Sequence, residues 1–167
     1  MTWATAYQKK LISPDHLAKK ISEIRSQGRT IATLNGSFDL LHAGHLHIIY
    51  EASRQADCLI MALNTDRSIQ EYKSPKRPII TLDDRLKLLA ALEFVDYLTW
   101  FDETDPRQLL AKIKPDVHVN GSEYGDNCVE AETVKQGGGK LHLVSLVPGL
   151  STSAIVRKIQ KDLECAG

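Results

Sequence analysis

The chain has 167 residues, 43% of them hydrophobic, with 21 Lys plus Arg against 21 Asp plus Glu. This allows a single domain whose core needs neither disulfides nor a structural metal, and the balanced charge leaves no electrostatic excess to hold a nucleic-acid backbone. The longest apolar stretches are strand-length, and the opening MTWATAYQKKLIS lacks the cationic start and apolar run of a signal peptide, so neither a membrane span nor secretion is expected and a cytoplasmic location follows.

In chain order, Ser13-Pro14-Asp15 supplies an N-cap hydroxyl, a proline at the first helical position and a carboxylate in the first turn. Leu17, Ile21 and Ile24 then continue at helical spacing to Gly28, which suits a C-terminal cap. Residues 1–28 thus read as a helical extension packed on the rest of one domain, 1–167. Ile31 to Leu34 is a short apolar strand, and Gly44 to Ala56 is a helix with Leu46, Ile49 and Ala52 on one stripe. Beyond it the elements alternate: strand Leu59 to Leu63, helix Leu82 to Glu93, strand Tyr97 to Trp100, helix Pro106 to Ile113 and strand Val117 to Asn120. A helix near Val129 to Lys135, strand Leu141 to Leu146 and a last helix from Ser151 to Leu163 complete the series. Strict alternation predicts an α/β, Rossmann-like, doubly wound parallel five-stranded sheet with helices on both faces. Ligands of such sheets bind beyond the carboxyl ends of the strands, where strand order reverses. Cys58, Cys128 and Cys165 are odd in number and widely spaced, which reads as reduced thiols, with Cys58 a small core side chain.

The run Asn35-Gly36-Ser37-Phe38-Asp39-Leu40-Leu41-His42-Ala43-Gly44-His45 joins the first strand to the helix that follows. Free N–H groups and the positive end of the helix dipole face whatever sits above the strand there, and phosphate is the usual ligand. His42 and His45 fall inside that field, placed to donate hydrogen bonds to phosphate oxygens that gain charge during transfer. The alternatives are capping histidines, or half of a zinc site with His47 as third nitrogen, although no Cys or spaced carboxylate completes a familiar ligand set. Lys73, Lys76 and Arg77 lie in the Pro-bounded loop EYKSPKRPII, which reads either as a solvated face or as a clamp over a triphosphate. Arg85, on the next helix, is expected to grip a phosphate in bidentate fashion. Ser151, Thr152 and Ser153 open the last helix: one hydroxyl serves as N-cap, and three suggest a second anion site. For Arg157 an ion pair and a ligand contact stay equally open. Gly121 to Gly125 is a polar loop of underived role.

These residues resemble the signatures of the HxGH nucleotidyltransferases: Asn35 to His45 is similar to the first, and Ser151-Thr152-Ser153 to the Ser-Thr-Thr or Ser-Ser-Thr of the second. The similarity runs over nearly all of Ile31 to Ile159. Within that superfamily the segments LNGSFDLLHAGH, ALNTDRS, KRPIITLDDRLKLLAALEFVD and KPDVHVNGSEY most resemble heptose 1-phosphate adenylyltransferases of lipopolysaccharide precursor synthesis. Glycerol-3-phosphate cytidylyltransferases are the nearest rival. The resemblance implies that Gly36, Ser37 and Phe38 border the nucleoside triphosphate, with Asn35, Gly44, Asn120, Gly121 and Glu123 in the same site, and that His42 and His45 contact its phosphates. It implies phosphate contacts for Lys73 and Arg85 and a nucleotide contact for Ser151 and Thr152. Asp39 and Asp66 are candidates for sugar hydroxyls. Two departures stand out: Asn120-Gly121-Ser122-Glu123-Tyr124 replaces the Lys-Gly-Gly-Asp-Tyr common in the bifunctional heptose enzymes, and their fused kinase domain is missing from this sequence.

The implied reaction is attack of a sugar 1-phosphate on the α-phosphorus of ATP or another nucleoside triphosphate, releasing pyrophosphate. The phosphate nucleophile, with a second pKa of about 6, needs no strong base, so the protein aligns and neutralises charge. Mg²⁺ is expected to bridge the triphosphate through substrate oxygens and water, without a protein cage. A homodimer is what the family implies. A nucleotide-sensing module that binds without turnover is the alternative of a different class.

Overall fold

The computed structural model describes residues 2–164; Cys165 lies outside them. Five parallel strands, β1 (Ile31–Gly36), β2 (Cys58–Asn64), β3 (Tyr97–Phe101), β4 (Val117–Gly121) and β5 (Lys140–Val144), form one sheet in the order β3-β2-β1-β4-β5. The order reverses between β1 and β4, and this opens a crevice at their carboxyl ends. Helices α1 (Trp3–Ala6) and α2 (Leu17–Ser26) precede β1, while α3 (Ala43–Ser53), α4 (Asp66–Tyr72), α5 (Leu82–Ala90), α6 (Arg107–Ile113) and α7 (Ala131–Gln136) occupy the connections and α8 (Thr152–Glu164) follows β5. No described helix is long and apolar enough to cross a membrane.

The sheet is buried on both faces, so its strands read as continuous apolar runs; every residue of β2 is buried. On one face Ala32, Leu34, Leu59, Met61 and Leu63 pack with Ile49 and Ala52 of α3 and with Leu86 and Leu89 of α5. On the other, Ile31, Cys58, Ile60 and Ala62 pack with Leu17, Ile21 and Ile24 of α2 and with Leu109 and Ile113 of α6. Edge strand β3 is covered by the N-terminal segment, where Leu11 bridges to Leu98 and the Ile12 N–H donates to the Leu98 carbonyl at 2.8 Å. This removes one open sheet edge.

Local departures from the sequence expectation have identifiable causes. Ser13 does not cap α2: its Oγ bonds His16 Nδ1 at 2.7 Å, and Pro14–His16 forms a separate 3₁₀ turn. The other end is as expected, since Gly28 (φ 72°) lets its own N–H reach the Arg25 carbonyl and the Arg29 N–H reach that of Ile24, a Schellman termination. Helix α4 was not anticipated. It is seven residues long, too short to show apolar periodicity, and its signal was Thr65, whose Oγ1 accepts from the Ser68 N–H at 3.2 Å.

One buried polar pair links β1 to β4. Thr33 and His118 are in register, and Thr33 Oγ1 lies 2.8 Å from His118 Nδ1. Burial pushes the His118 imidazole down to about 4 from its ordinary 6.5. The neutral ring is therefore the folded form, and the unfolded chain takes up the proton first. Stability is full above pH 6.5 and falls as the pH drops towards 4. From this residue the free energy of unfolding should be about 2 kcal/mol lower at pH 5 than at pH 7. Urea denaturation at both pH values should show this slope and show it reduced in His118→Gln; an unchanged slope would contradict the assignment.

Candidate active site

The turn after β1 is shaped by a glycine and an aromatic ring. Phe38 has φ 47°, and its buried ring lies so close over Gly36 that a Cβ there would stand 3.1 Å from it. Phe38 also meets His45 edge-on, ring centroids 5.2 Å apart. His42 is the N-cap of α3, and its Nδ1 accepts from the His45 N–H at 3.4 Å. That role leaves the proton on Nε2, the nitrogen directed away from the helix. The two imidazoles stack with centroids 3.8 Å apart and an interplanar angle of 20°. A Cβ on Gly44 would come to 3.0 Å from the His42 ring and 3.1 Å from Leu150 Cβ, so any larger residue would have to push one of them aside by a few tenths of an ångström. Burial and the neighbouring His42 push His45 down to about 4, and burial also lowers His42. Both rings are neutral hydrogen-bonding groups at pH 7. Capping and facing the cleft are thus compatible in His42. The zinc alternative finds no group of three His, Cys, Asp or Glu among the described residues.

The cleft over this turn encloses about 230 Å³ and is lined by Asn35, Gly36, Ser37, Phe38, His42, Gly44, His45, Lys73, Asn120, Gly121, Glu123, Ser151 and Thr152. It lies at the reversal of strand order. Lys73, at the end of α4, donates from Nζ to Ser37 Oγ at 2.8 Å, and burial and Arg77 lower its pKa. Glu123 folds back over Gly121, where a Cβ would fall 2.1 Å from the carboxylate. Ser151 Oγ caps α8 by accepting from the Ala154 N–H at 3.1 Å, and Thr152 Oγ1 reaches the Leu40 carbonyl at 3.5 Å. Ser153 does not line the cleft: it is exposed, two residues past the cap, and the expected triple-hydroxyl site reduces to Ser151 and Thr152. Lys76 and Arg157 are exposed and outside the cleft. A second lobe of about 220 Å³ shares Asn35, Lys73 and Asn120 with the first and adds Asn64, Asp105 and Glu130. Asn64 sits at a strand end, where the topological rule could have flagged it; nothing in the sequence marks Glu130.

Two expected ligand contacts are corrected by burial. Arg85 is 0% exposed. Its guanidinium donates to the carbonyls of Ile80 (3.1 Å), Ser37 (2.6 Å) and Asn64 (2.9 Å) and to Asp66 Oδ1 (2.7 Å). It grips the backbone around the site and lines neither lobe of the cleft. Asp39 is 2% exposed, and its Oδ1 accepts from the N–H groups of Ile79 (2.7 Å) and Ile80 (2.9 Å), while Oδ2 pairs with Arg77 Nε at 2.7 Å. It fastens the basic loop and is not available to a sugar hydroxyl. Asp66, part-exposed, is committed to Arg85 and lines neither lobe. Truncating one partner of such a buried charged network costs about 3–5 kcal/mol. Arg85→Ala should therefore lose about 3 kcal/mol or more of unfolding free energy, against less than about 1 kcal/mol for exposed Lys73→Ala; equal stabilities in denaturant titrations would refute a structural role for Arg85.

Comparison with known proteins places this geometry. The family model described as cytidylyltransferase-like matches residues 33–158. The bifunctional protein HldE of Methylobacillus flagellatus is 45% identical over 93% of this chain, and that of Wolinella succinogenes is 42% identical over 92%. The chain spans about a third of the length of these relatives, 32% in each case. Among solved structures, the lipopolysaccharide core biosynthesis protein of Thermoplasma volcanium superposes with a TM-score of 0.58 at 28% identity, covering 72% of this chain and 98% of that one. Pantoate-beta-alanine ligase from Francisella tularensis, complexed with beta-gamma ATP and beta-alanine, shares the fold with a TM-score of 0.58 at 19% identity, over 89% of this chain and 73% of its own. With the match running through both signatures, the chain belongs to the cytidylyltransferase-like family, the HxGH nucleotidyltransferases.

Proposed function

We propose that the protein transfers an adenylyl group from ATP to D-glycero-D-manno-heptose 1-phosphate, releasing pyrophosphate, in the synthesis of a heptose-containing glycan such as lipopolysaccharide. The observation that carries the transferase reading is the stacked, neutral His42–His45 pair at the N-terminus of α3, facing a cleft that also holds Lys73. The heptose substrate is supported by the segments of sequence similar to heptose 1-phosphate adenylyltransferases, and the lipopolysaccharide context by the name of the Thermoplasma neighbour.

An acceptor phosphate oxygen forms the new bond to the α-phosphorus while the bond to the bridging oxygen breaks and the electron pair leaves with pyrophosphate. The dianionic acceptor needs no base, so the protein's part is to align the two phosphates and neutralise the charge that builds on them. His42 donates from Nε2, His45 adds a second imidazole, and both sit at the positive end of the α3 dipole. Lys73, common to both lobes, serves the phosphates of both substrates. A triphosphate brought against the rings favours their protonation and opposes the effect of burial.

Magnesium suits this arrangement. Among the described residues Glu123 is the one carboxylate lining the first lobe, a hard oxygen donor, and triphosphate oxygens and water would fill the remaining positions. Bound there, the ion would neutralise triphosphate charge.

His45→Ala should lower kcat by about 10²-fold or more with a smaller change in KM, because the contact strengthens in the transition state; near-normal turnover removes His45 from the mechanism. Pyrophosphate release assayed with ATP, CTP and GTP against heptose 1-phosphate and glycerol 3-phosphate should be fastest with ATP and the heptose. Preference for CTP with glycerol 3-phosphate would replace this substrate assignment, and ligand binding without release from any pair would leave a nucleotide sensor.

A further inference from the structure

Asn35 and Asn120 stand side by side where the strand order reverses. The pairing of β1 with β4 sets Thr33 beside His118 and Leu34 beside Val119. Asn35 and Asn120 each follow one residue beyond the last paired rung, on the face that carries the Thr33–His118 hydrogen bond, because strand side chains repeat every two residues. Both asparagines line both lobes of the cleft. Asn120 is 7% exposed, and its Oδ1 accepts from the Gly121 N–H at 3.2 Å. That bond orients the amide and turns Nδ2 away from its own backbone. Among the described residues neither Nδ2 of Asn120 nor Oδ1 of Asn35, both buried, has a partner within hydrogen-bond distance, although the Asn120 amide also faces the Cys128 thiol.

Unpaired buried polar atoms are costly, and native structures keep few of them outside functional sites. Here the two are complementary in kind, one donor and one acceptor. A dianionic phosphate cannot satisfy both, because its oxygens accept from Asn120 but are repelled by the Asn35 carbonyl oxygen. A hydroxyl can, since it accepts from one and donates to the other. The acceptor's phosphate must lie at the junction of the lobes to reach the α-phosphorus, so the acceptor group nearest the pair is the hydroxyl on the carbon next to the phosphorylated one.

Resting on the transferase reading above, we infer that Asn35 and Asn120 are specificity-determining residues that together bind this acceptor hydroxyl. The protein then selects phosphorylated sugars or polyols that bear a hydroxyl beside the phosphate and rejects their deoxy analogues. A site built to hydrogen-bond a hydroxyl discriminates strongly, because the analogue leaves its polar groups unpaired.

The test measures kcat/KM by pyrophosphate release with heptose 1-phosphate and its 2-deoxy analogue, and in parallel with 2′-deoxy- and 3′-deoxy-ATP, for the wild-type protein and Asn120→Asp. The wild type should favour the hydroxylated acceptor by about 10²-fold or more. Asn120→Asp, which swaps the donor for an acceptor of equal size, should narrow the ratio to less than about tenfold. If that variant does not fold, the wild-type ratio decides alone. Equal efficiency with both acceptors overturns the inference, as does a loss confined to the deoxynucleotides, which would assign the pair to the ribose. Absence of pyrophosphate from every combination instead overturns the transferase reading, a failure distinct from indiscriminate turnover.

Discussion

A guanidinium with no access to water must be surrounded by acceptors, and that requirement at Arg85 holds the site together. Desolvating the cation is tolerable only if its N–H groups are met, so the carbonyls of Ser37, Asn64 and Ile80 and the carboxylate of Asp66 converge on it. These groups come from the turn after β1, the end of β2, the segment before α5 and the start of α4. Asp39 does the same with opposite sign, its buried carboxylate drawing in the N–H groups of Ile79 and Ile80 and the Arg77 side chain. Between them one buried cation and one buried anion set where the basic loop runs and hold Lys73 above Ser37.

Given that frame, the electrostatics of the cleft follow from few groups. Arg77 and Arg85 are spent on structure, which leaves Lys73 as the cation lining both lobes. The imidazoles are kept neutral by burial, to which His42 adds at His45. The cleft therefore presents N–H donors more than fixed positive charge. The His42 cap couples this to the helix: the hydrogen bond that starts α3 also fixes which nitrogen of His42 carries the proton.

Much of this was legible in the sequence. The alternation of apolar strands with amphipathic helices predicts a parallel sheet, and parallel sheets bind at the reversal of strand order, which is where the Asn35–His45 turn lies. Gly36 and Gly44 show why the spacing within that turn is strict, since a Cβ at either would meet the Phe38 or His42 ring. Helix α4 escaped because seven residues carry too little periodicity. Ser13 and Ser153 were misread because a hydroxyl near a helix start has several local partners, and the sequence does not say which it takes.

By itself the chain determined its class of fold, the position of the turn between β1 and α3 and the family signatures, because these depend on periodicity and on residues within about a dozen positions of one another. Only the tertiary structure decided which charged side chains reach the cleft. Arg85, Asp39 and Lys73 look equivalent as letters, yet the first two are sealed by contacts with backbone 48 and 40 residues away, while the third is left exposed at the cleft. Burial is a property of how distant segments pack, and it converts the same charge from a ligand contact into a structural tie.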